Sequence, residues 1–173
     1  NKGMTQMLKS AYYNRLKALL SPERLERLDK KGIRIVLAPH HHLSNVVKDL
    51  DFGVPVEVID ASQVSYWIRH ARMLVTDFSS VSVDFLFQNK PVVYWMLDRD
   101  DFLLDPAVHD DGGKVRSAEH EVKALFNVCT LEEEVLAKID YYAARNFELE
   151  EGNRAIAESF FEHKNDICSH VYE

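Results

Sequence analysis

The chain has 173 residues, of which 46% are hydrophobic and 28% are charged, and its net charge at pH 7 is −7. This composition excludes a disordered, collagen-like or low-complexity protein, and the length suits one domain with a buried core. No run of about 18 apolar residues occurs, so we expect no membrane-spanning helix. The N-terminus shows no apolar signal segment, and two distant cysteines suit a reducing compartment. We therefore expect a cytoplasmic globular domain.

The N-terminal part of the chain is predicted to form two helices followed by a strand. Apolar residues recur at the spacing of one helix face over 12–20, and the Ser-Pro-Glu sequence at 21–23 is typical of a new helix start, with the serine as hydrogen-bond acceptor. The Lys-Lys-Gly sequence at 30–32 indicates the end of that helix. The β-branched run over 33–38 predicts a buried strand.

The rest of the chain alternates strands with helices. Further strands are predicted at 54–59, 73–76 and 91–95, and further helices at 61–71, 80–88, 130–144 and 151–165, with a polar stretch over 98–120. A Thr-Leu-Glu-Glu capping box opens the helix at Thr130. This alternation predicts an α/β fold with a doubly wound parallel sheet, in a single domain over 1–173. Ligands bind such sheets outside the carboxyl ends of the strands, so the residues just after each strand are the site candidates.

Three consecutive histidines, His40, His41 and His42, follow the first predicted strand. A metal site, a solvated loop and a phosphate-contacting or proton-donating histidine are the three interpretations, and the metal site is the least favoured because no Cys or carboxylate lies nearby in sequence. Histidine titrates near neutral pH and can neutralise a leaving phosphate. Adjacent residues at a strand exit point in different directions, so we expect only one of the three to do this.

Hydroxyl and acidic residues follow the third predicted strand, in the sequence Thr-Asp-Phe-Ser-Ser-Val-Ser-Val-Asp over 76–84. Hydroxyl groups and backbone N–H groups at a helix start can bind a phosphate. Alternatively, Asp77 or Ser79 only caps the helix, and Asp84 is a carboxylate favoured by the helix dipole. The stretch lacks the glycines of a dinucleotide-binding fingerprint and the Lys of a P-loop, which excludes both of those sites.

The positive charge is concentrated at the N-terminus. Residues 1–34 carry nine Lys or Arg against three acidic residues, whereas the remainder carries 12 against 25. The basic segment fits either the solvated outer faces of two helices or attraction to an anionic membrane surface or polyanionic product. The acidic remainder argues against nucleic acid as a partner, because phosphate backbones are bound by clustered positive charge.

Several motifs form a specific combination. The Thr-Asp-Phe-Ser-Ser sequence from Thr76 is followed by Asp84 and then by Asn-Lys-Pro-Val-Val-Tyr over 89–94. A Val-Leu-Ala-Pro-His strand exit ends at His40, and the C-terminal stretch 160–166 reads Phe-Phe-Glu-His-Lys-Asn-Asp. Together these motifs resemble the CDP-glycerol glycerophosphotransferases, bacterial enzymes that build teichoic acids and related capsular polymers.

The resemblance covers 33–97 closely and 125–168 loosely. It implies a Rossmann-like domain, the C-terminal half of a GT-B glycosyltransferase-type fold, which holds the donor nucleotide without a metal or other cofactor. Family members transfer glycerol phosphate or ribitol phosphate from a CDP-activated donor to a growing polymer and release CMP. They work at the cytoplasmic face of the membrane.

Carried onto this chain, the resemblance implies roles for seven residues. His40 would be the catalytic residue and would contact the phosphate region of the donor. Thr76, Ser79 and Ser80 would line the pyrophosphate, and Asp84 would fix that loop or reach the donor. The full set of implied donor- and phosphate-binding residues is His41, Thr76, Asp77, Ser79, Ser80 and Asp84.

The chain departs from the family pattern in two places. The family's other catalytic histidine lies in an N-terminal acceptor domain that nothing here supplies, and 98–120 lacks the Arg-Gly-Phe-Tyr and Pro-Gly stretches expected there. We therefore expect a C-terminal piece of a longer enzyme, inactive alone, with the polymer or lipid-linked acceptor bound by the other half. The alternatives are a UDP- or GDP-sugar glycosyltransferase half of the same architecture and a non-catalytic α/β binding module.

Overall fold

Both parts of this computed structural model, which describes residues 10–39, 56–77, 79–96 and 127–159, contain helices and parallel strands. The chain divides into two compact units, residues 1–70 and 71–173. The described part of the first unit forms, in chain order, α1 (Ala11–Leu19), α2 (Pro22–Asp29), β1 (Val36–Leu37), β2 (Glu57–Val58), a 3-10 turn (Ala61–Gln63) and α3 (Val64–His70). The described part of the second forms β3 (Leu74–Thr76), α4 (Val81–Phe87), β4 (Val92–Trp95), β5 (Val128–Cys129), α5 (Glu132–Ala143) and α6 (Glu151–Ser159).

The first two helices lie close to their predicted positions. Ser10 caps α1, because its Oγ accepts a hydrogen bond from the backbone N–H of Tyr13 at 3.1 Å. Pro22 is the first residue of α2, but Ser21 makes no side-chain capping hydrogen bond, so the acceptor role predicted for it is wrong. Gly32 follows α2 with a φ of +71°, in the left-handed region that favours glycine. The predicted stop signal is therefore confirmed.

In the first unit, β1 and β2 form a parallel pair in which Val36 lies opposite Glu57. Both strands are shorter than predicted. The backbone N–H of Ile33 still donates to the carbonyl oxygen of Leu28 at 3.0 Å, which keeps the chain in the turn after α2 and delays the pairing of β1. Residues 54–55 of the second predicted strand lie outside the described residues.

The second unit contains a parallel sheet with the strand order β3-β4-β5. Leu74 lies opposite Val92, and Tyr94 lies between Thr76 and Val128. The central strand, β4, is buried along its whole length, as expected for an apolar strand with a neighbour on each side. β5 was not predicted, because two residues are too short a segment to show a hydrophobic period.

The turn from α4 into β4 gives the Asn-Lys-Pro motif a structural role. Asn89 has a φ of +56°, and the N–H of Lys90 donates to the carbonyl oxygen of Phe85 at 3.0 Å, which closes the helix. Pro91 follows, and its carbonyl oxygen accepts from the N–H of Leu74 at 3.0 Å. The motif therefore ends α4 and aligns the start of β4 with β3.

The structure confirms α5 but assigns its capping to a different residue. Oε2 of Glu134 accepts hydrogen bonds from the N–H groups of Thr130 at 2.8 Å and Leu131 at 3.1 Å, whereas the prediction placed Glu133 in this role. The helix begins at Glu132, so its third residue is Glu134, which reaches back to the cap. These bonds, with that from Thr130 the largest, lower the pKa of the Glu134 carboxyl.

A hydrogen-bond network joins β5, α5 and the start of α6. The hydroxyl of Tyr142 donates to Oε2 of Glu150 at 3.0 Å and accepts from Nδ2 of Asn127 at 2.6 Å. Nδ2 of Asn127 also donates to the carbonyl oxygen of Val92 at 3.2 Å, and Nδ2 of Asn153 donates to Glu150. Val92 and Asn127 lie at the amino ends of their strands, so this network is at the edge of the sheet opposite the one where ligands bind in such folds.

Helices and parallel strands in both units confirm the predicted α/β class and are compatible with a Rossmann-like fold. Within the described ranges, no helix combines the length and the apolar character needed to cross a bilayer. The predicted polar stretch 98–120 and the predicted end of the last helix, 160–165, lie outside those ranges.

Candidate functional site

The carboxyl edge of the three-stranded sheet carries five of the predicted site residues. β3 ends at Thr76 and Asp77 follows it, while Ser79 and Ser80 lead into α4. Asp84 lies in the first turn of that helix. The fold thus brings these five residues to a single strand-to-helix connection, at the edge where parallel α/β sheets bind their ligands.

The serine turn, which we define as residues 79–82, is closed by the carbonyl oxygen of Ser79. This oxygen accepts hydrogen bonds from the N–H of Ser82 at 3.1 Å and from Oγ of Ser82 at 2.8 Å. Oγ of Ser79 accepts from the N–H of Val81 at 3.4 Å, so it contributes to capping. Ser80 is exposed and makes no side-chain capping hydrogen bond. Of the two serines that precede α4, Ser80 therefore has the hydroxyl that is more open to a ligand.

Two exposed carboxylates, those of Asp77 and Asp84, lie on either side of the serine turn in sequence. The backbone carbonyl oxygen of Asp84 accepts a hydrogen bond from Nε2 of Gln88 at 3.0 Å, but within the described residues its carboxylate accepts none. A carboxylate repels a phosphate and accepts hydrogen bonds from hydroxyl groups. The strand-to-helix connection therefore offers two kinds of group to a ligand. The serine hydroxyls can donate hydrogen bonds to a phosphate, and the carboxylates can accept hydrogen bonds from the ligand's hydroxyl groups.

Two buried hydroxyl side chains lie at or near the serine turn. Tyr94, opposite Thr76 in the sheet, is 4% exposed, and Ser82, the last residue of the turn, is 6% exposed. Burial raises the pKa of Tyr94, and the Ser82 side chain partly offsets this. Sequence reasoning did not select either residue as part of the site. The available signal was a lone serine among the apolar residues of α4.

Helix α5 also starts at this edge of the sheet, but its first turn is acidic. α5 follows β5, and its first turn contains three carboxylates, those of Glu132, Glu133 and Glu134. The Glu134 carboxylate already accepts from the first N–H groups of this segment. An approaching phosphate would be repelled there, so the serine turn is the better place for an anionic ligand.

The predicted catalytic residue His40 and its neighbour His41 lie outside the described residues. The role of these histidines stays a prediction. Among the residues with a described position, no group of three or more His, Cys, Asp or Glu side chains is arranged to hold a metal ion.

Comparison with known proteins gives two matches. A family model described as CDP-glycerol:poly(glycerophosphate) glycerophosphotransferase matches residues 5–170. The chain is 27% identical over 155 residues to the minor teichoic acid biosynthesis protein GgaB of Bacillus subtilis (strain 168), a match that covers 88% of this chain and only 16% of the relative. No solved structure matches the chain. Since the family model extends over nearly the whole sequence, the chain belongs to the CDP-glycerol:poly(glycerophosphate) glycerophosphotransferase family, as its motifs predicted.

Proposed function

We propose that this chain is the donor-binding part of a transferase that moves glycerol phosphate, or a related polyol phosphate, from a CDP-activated donor to a growing teichoic-acid-like or capsular polymer. The family match over residues 5–170 carries this proposal. In this proposal, residues 1–173 form one donor-nucleotide-binding domain with a doubly wound, Rossmann-like sheet. This domain is the C-terminal half of a GT-B-type enzyme. The acceptor, a polymer or a lipid-linked chain, binds to a part of the enzyme outside this chain.

The reaction is an in-line displacement at phosphorus. A hydroxyl oxygen of the acceptor forms a bond to the distal phosphorus of the donor, which carries the glycerol. The bond from that phosphorus to the bridging oxygen breaks, and CMP leaves with this oxygen and the electron pair. A base outside this chain takes the hydroxyl proton, while correct positioning and neutralisation of charge provide most of the rate acceleration.

The serine turn and Thr76 contact the donor pyrophosphate in this proposal. Its support is the exposed Ser80 hydroxyl at the carboxyl edge of the sheet. Asp77 and Asp84 contact the ribose or glycerol hydroxyls of the donor rather than its phosphates, because a carboxylate next to a phosphate is unfavourable. His40, with His41 as its neighbour in sequence, stabilises the departing CMP as a hydrogen-bond donor near neutral pH.

In this proposal the basic N-terminal helices, α1 and α2, contact the membrane surface. Lys17 lies in the last turn of α1 and Arg27 in the last turn of α2, and both are exposed. Lys30 is paired with Glu26 at 2.8 Å, but both side chains stay largely exposed. We propose that this surface holds a cytoplasmic enzyme at the anionic inner face of the membrane, where a lipid-linked acceptor is available.

Calorimetric titration of the chain with CDP-glycerol, CMP and UDP-N-acetylglucosamine tests the donor proposal. We expect the two cytidine nucleotides to bind and the uridine nucleotide not to bind. Ser80→Ala and His40→Ala should each weaken CDP-glycerol binding. Ser65→Ala is the matched control, since it removes the hydroxyl of another exposed serine, on α3. Preference for the uridine nucleotide would indicate a sugar-transferase donor domain, and a folded sample that binds no nucleotide would contradict a donor-binding role.

A further inference from the structure

Helix α3 presents aromatic side chains to solvent, whereas a helix of an α/β fold normally buries its apolar side. The structure describes all seven residues of α3, and none of them is buried. Tyr66 is 51% exposed, and its ring is nearly perpendicular to that of Trp67, with 5.5 Å between the two ring centres. His70 stacks on the Tyr66 ring at 4.0 Å. The Tyr66 ring is therefore held in place while half of the residue stays open to solvent.

Arg34, which precedes β1 in the same unit, adds a positive charge next to these rings. Its Cζ lies over the Trp67 ring, 5.2 Å from the ring centre, and its Nε lies 3.7 Å from Oε2 of Glu57 on β2. The Arg34 side chain is still 69% exposed, and no described residue accepts a hydrogen bond from its terminal nitrogens. The contacts with Trp67 and Glu57 restrict the guanidinium before a ligand arrives, and a guanidinium can bind a phosphate through two N–H groups.

The distribution of charge along the chain favours an anionic partner for the first unit. Residues 1–70 contain 11 Lys or Arg and seven Asp or Glu, whereas residues 71–173 contain 10 Lys or Arg and 21 Asp or Glu. A polyanion is therefore attracted to the first unit and repelled by the second. Single-stranded nucleic acid suits this unit less well, because it is bound by a series of open rings along a basic groove, and here Trp67 is half-buried under Arg34.

We propose that the α3 surface, which we define as Arg34, Tyr66 and Trp67, binds the part of the polyol-phosphate polymer that has already been built. This inference rests on the proposed function, because it takes the acceptor to be a chain in which phosphates alternate with polyol or sugar units. Arg34 binds a phosphate, and the Tyr66 ring packs against the C–H groups of the neighbouring unit. The reacting hydroxyl of the acceptor binds outside this chain, so the α3 surface contacts units further from the reacting end.

Calorimetric titration of the full chain with a soluble glycerol phosphate oligomer tests this inference without any donor. Arg34→Gln should weaken oligomer binding about fivefold, and Tyr66→Ala should weaken it about threefold. Arg154→Gln is the matched control for charge, because it removes an exposed arginine of the second unit. Tyr12→Ala is the matched control for the ring, because Tyr12 is another exposed tyrosine of the first unit, at 40%. Both controls should leave the Kd for the oligomer nearly unchanged.

Two further ligands separate recognition of the polymer from attraction by charge. Inorganic polyphosphate has the phosphates without the polyol units, and a single-stranded oligonucleotide has bases in their place. At about 0.15 M salt, where charge alone is largely screened, both should bind more weakly than a glycerol phosphate oligomer of equal charge.

Each outcome supports or overturns the inference. Polyphosphate that binds as tightly as the oligomer, or equal losses for Arg34→Gln and Arg154→Gln, would show attraction by charge alone and would overturn it. An oligonucleotide that binds more tightly than the oligomer would assign the α3 surface to nucleic acid instead. Titration of the same sample with CDP-glycerol separates the two proposals. A chain that binds CDP-glycerol but not the oligomer refutes this inference alone, whereas a folded chain that binds the oligomer but no nucleotide refutes the donor-binding function and leaves the polymer contact in place.

Discussion

The hydroxyl of Tyr142 donates a 3.0 Å hydrogen bond to Oε2 of Glu150, eight positions further along the chain. Tyr142 is completely buried, and Nδ2 of Asn127 donates to the same hydroxyl at 2.6 Å. A buried hydroxyl with both partners in place stabilises more than an exposed ion pair such as that of Lys30 with Glu26. We therefore expect the stability of the second unit to depend on Tyr142.

Replacing Tyr142 by Phe should lower the free energy of unfolding by about 1 to 2 kcal/mol. The ring still fills its place in the core, but the hydroxyl no longer pairs with Glu150 and Asn127. Urea unfolding measures the loss. Tyr66→Phe is the control, because Tyr66 is 51% exposed, and its effect should stay within about 0.5 kcal/mol. Losses of equal size in the two variants would argue against a special role for the buried hydroxyl.

The same residue should make the protein less stable at alkaline pH. Burial raises the pKa of Tyr142 to about 12 from its usual value of 10.0. The hydrogen bond with Asn127 opposes this shift, and the hydrogen bond with Glu150 adds to it. The folded chain keeps a phenol proton that the unfolded chain releases, so this contribution is complete below about pH 10 and is lost as the pH rises to about 12. Urea unfolding across this interval should show a steeper decline for the wild type than for Tyr142→Phe, and parallel curves would contradict the assignment.

Glu150 should make the protein less stable at acid pH, the reverse of the pH dependence expected from Tyr142. Burial alone would raise the pKa of its carboxyl, but hydrogen bonds from Tyr141, Tyr142 and Asn153 and the charge of Lys138 outweigh burial and hold the pKa below its usual value of 4.5. Stability from such a group is present above the unfolded pKa and is lost as the pH falls through the folded one.

The variant Glu150→Gln should therefore lose less stability than the wild type as the pH falls through this acid range. Urea midpoints measured at a series of acid pH values test the expectation. Glu148→Gln changes an exposed carboxylate two positions before Glu150, and this control should follow the wild-type curve. If the Glu150 variant also follows it, the carboxylate does not contribute in its ionised form.

The sequence predicted the position of the serine turn but not the strand pairing beside it. Consecutive hydroxyl residues after a β-branched run form a local pattern, so the position of Ser79 and Ser80 at the end of β3 could be predicted. Tyr94 lies opposite Thr76 because β4 pairs with β3, and this pairing joins residues eighteen positions apart. No local spacing contains that information.

β5 shows a similar limit. Cys129 is buried, with 2% of its surface exposed. Its strand, however, is defined by pairing with β4, where the N–H of Met96 donates to the carbonyl oxygen of Cys129 at 2.8 Å. A two-residue strand is identified by its neighbour rather than by its own sequence.

The capping of α5 allows a direct comparison of prediction and structure. Glu134→Ala should lower the urea midpoint, because it removes the acceptor of the Thr130 and Leu131 N–H groups. Glu133→Ala, at the position predicted from the Thr-Leu-Glu-Glu pattern, should have a smaller effect. The reverse order would show that the helix starts one residue earlier in solution.

Replacing Gly32 or Gly152 by alanine should change the stability of the protein in opposite directions. In the described part of the chain, no heavy atom lies within 4 Å of a Cβ added at Gly32 or at Gly152. The effect of each substitution on stability is therefore determined by the backbone conformation. Gly32 has a φ of +71°, and Gly32→Ala should cost about 1 kcal/mol because a side chain is strained in the left-handed region. Gly152 lies in the first turn of α6, and Gly152→Ala should stabilise by about 0.5 kcal/mol because alanine loses less conformational entropy in a helix. Urea unfolding of both variants measures the difference, and changes of the same sign would contradict either the left-handed turn after α2 or the helical start of α6.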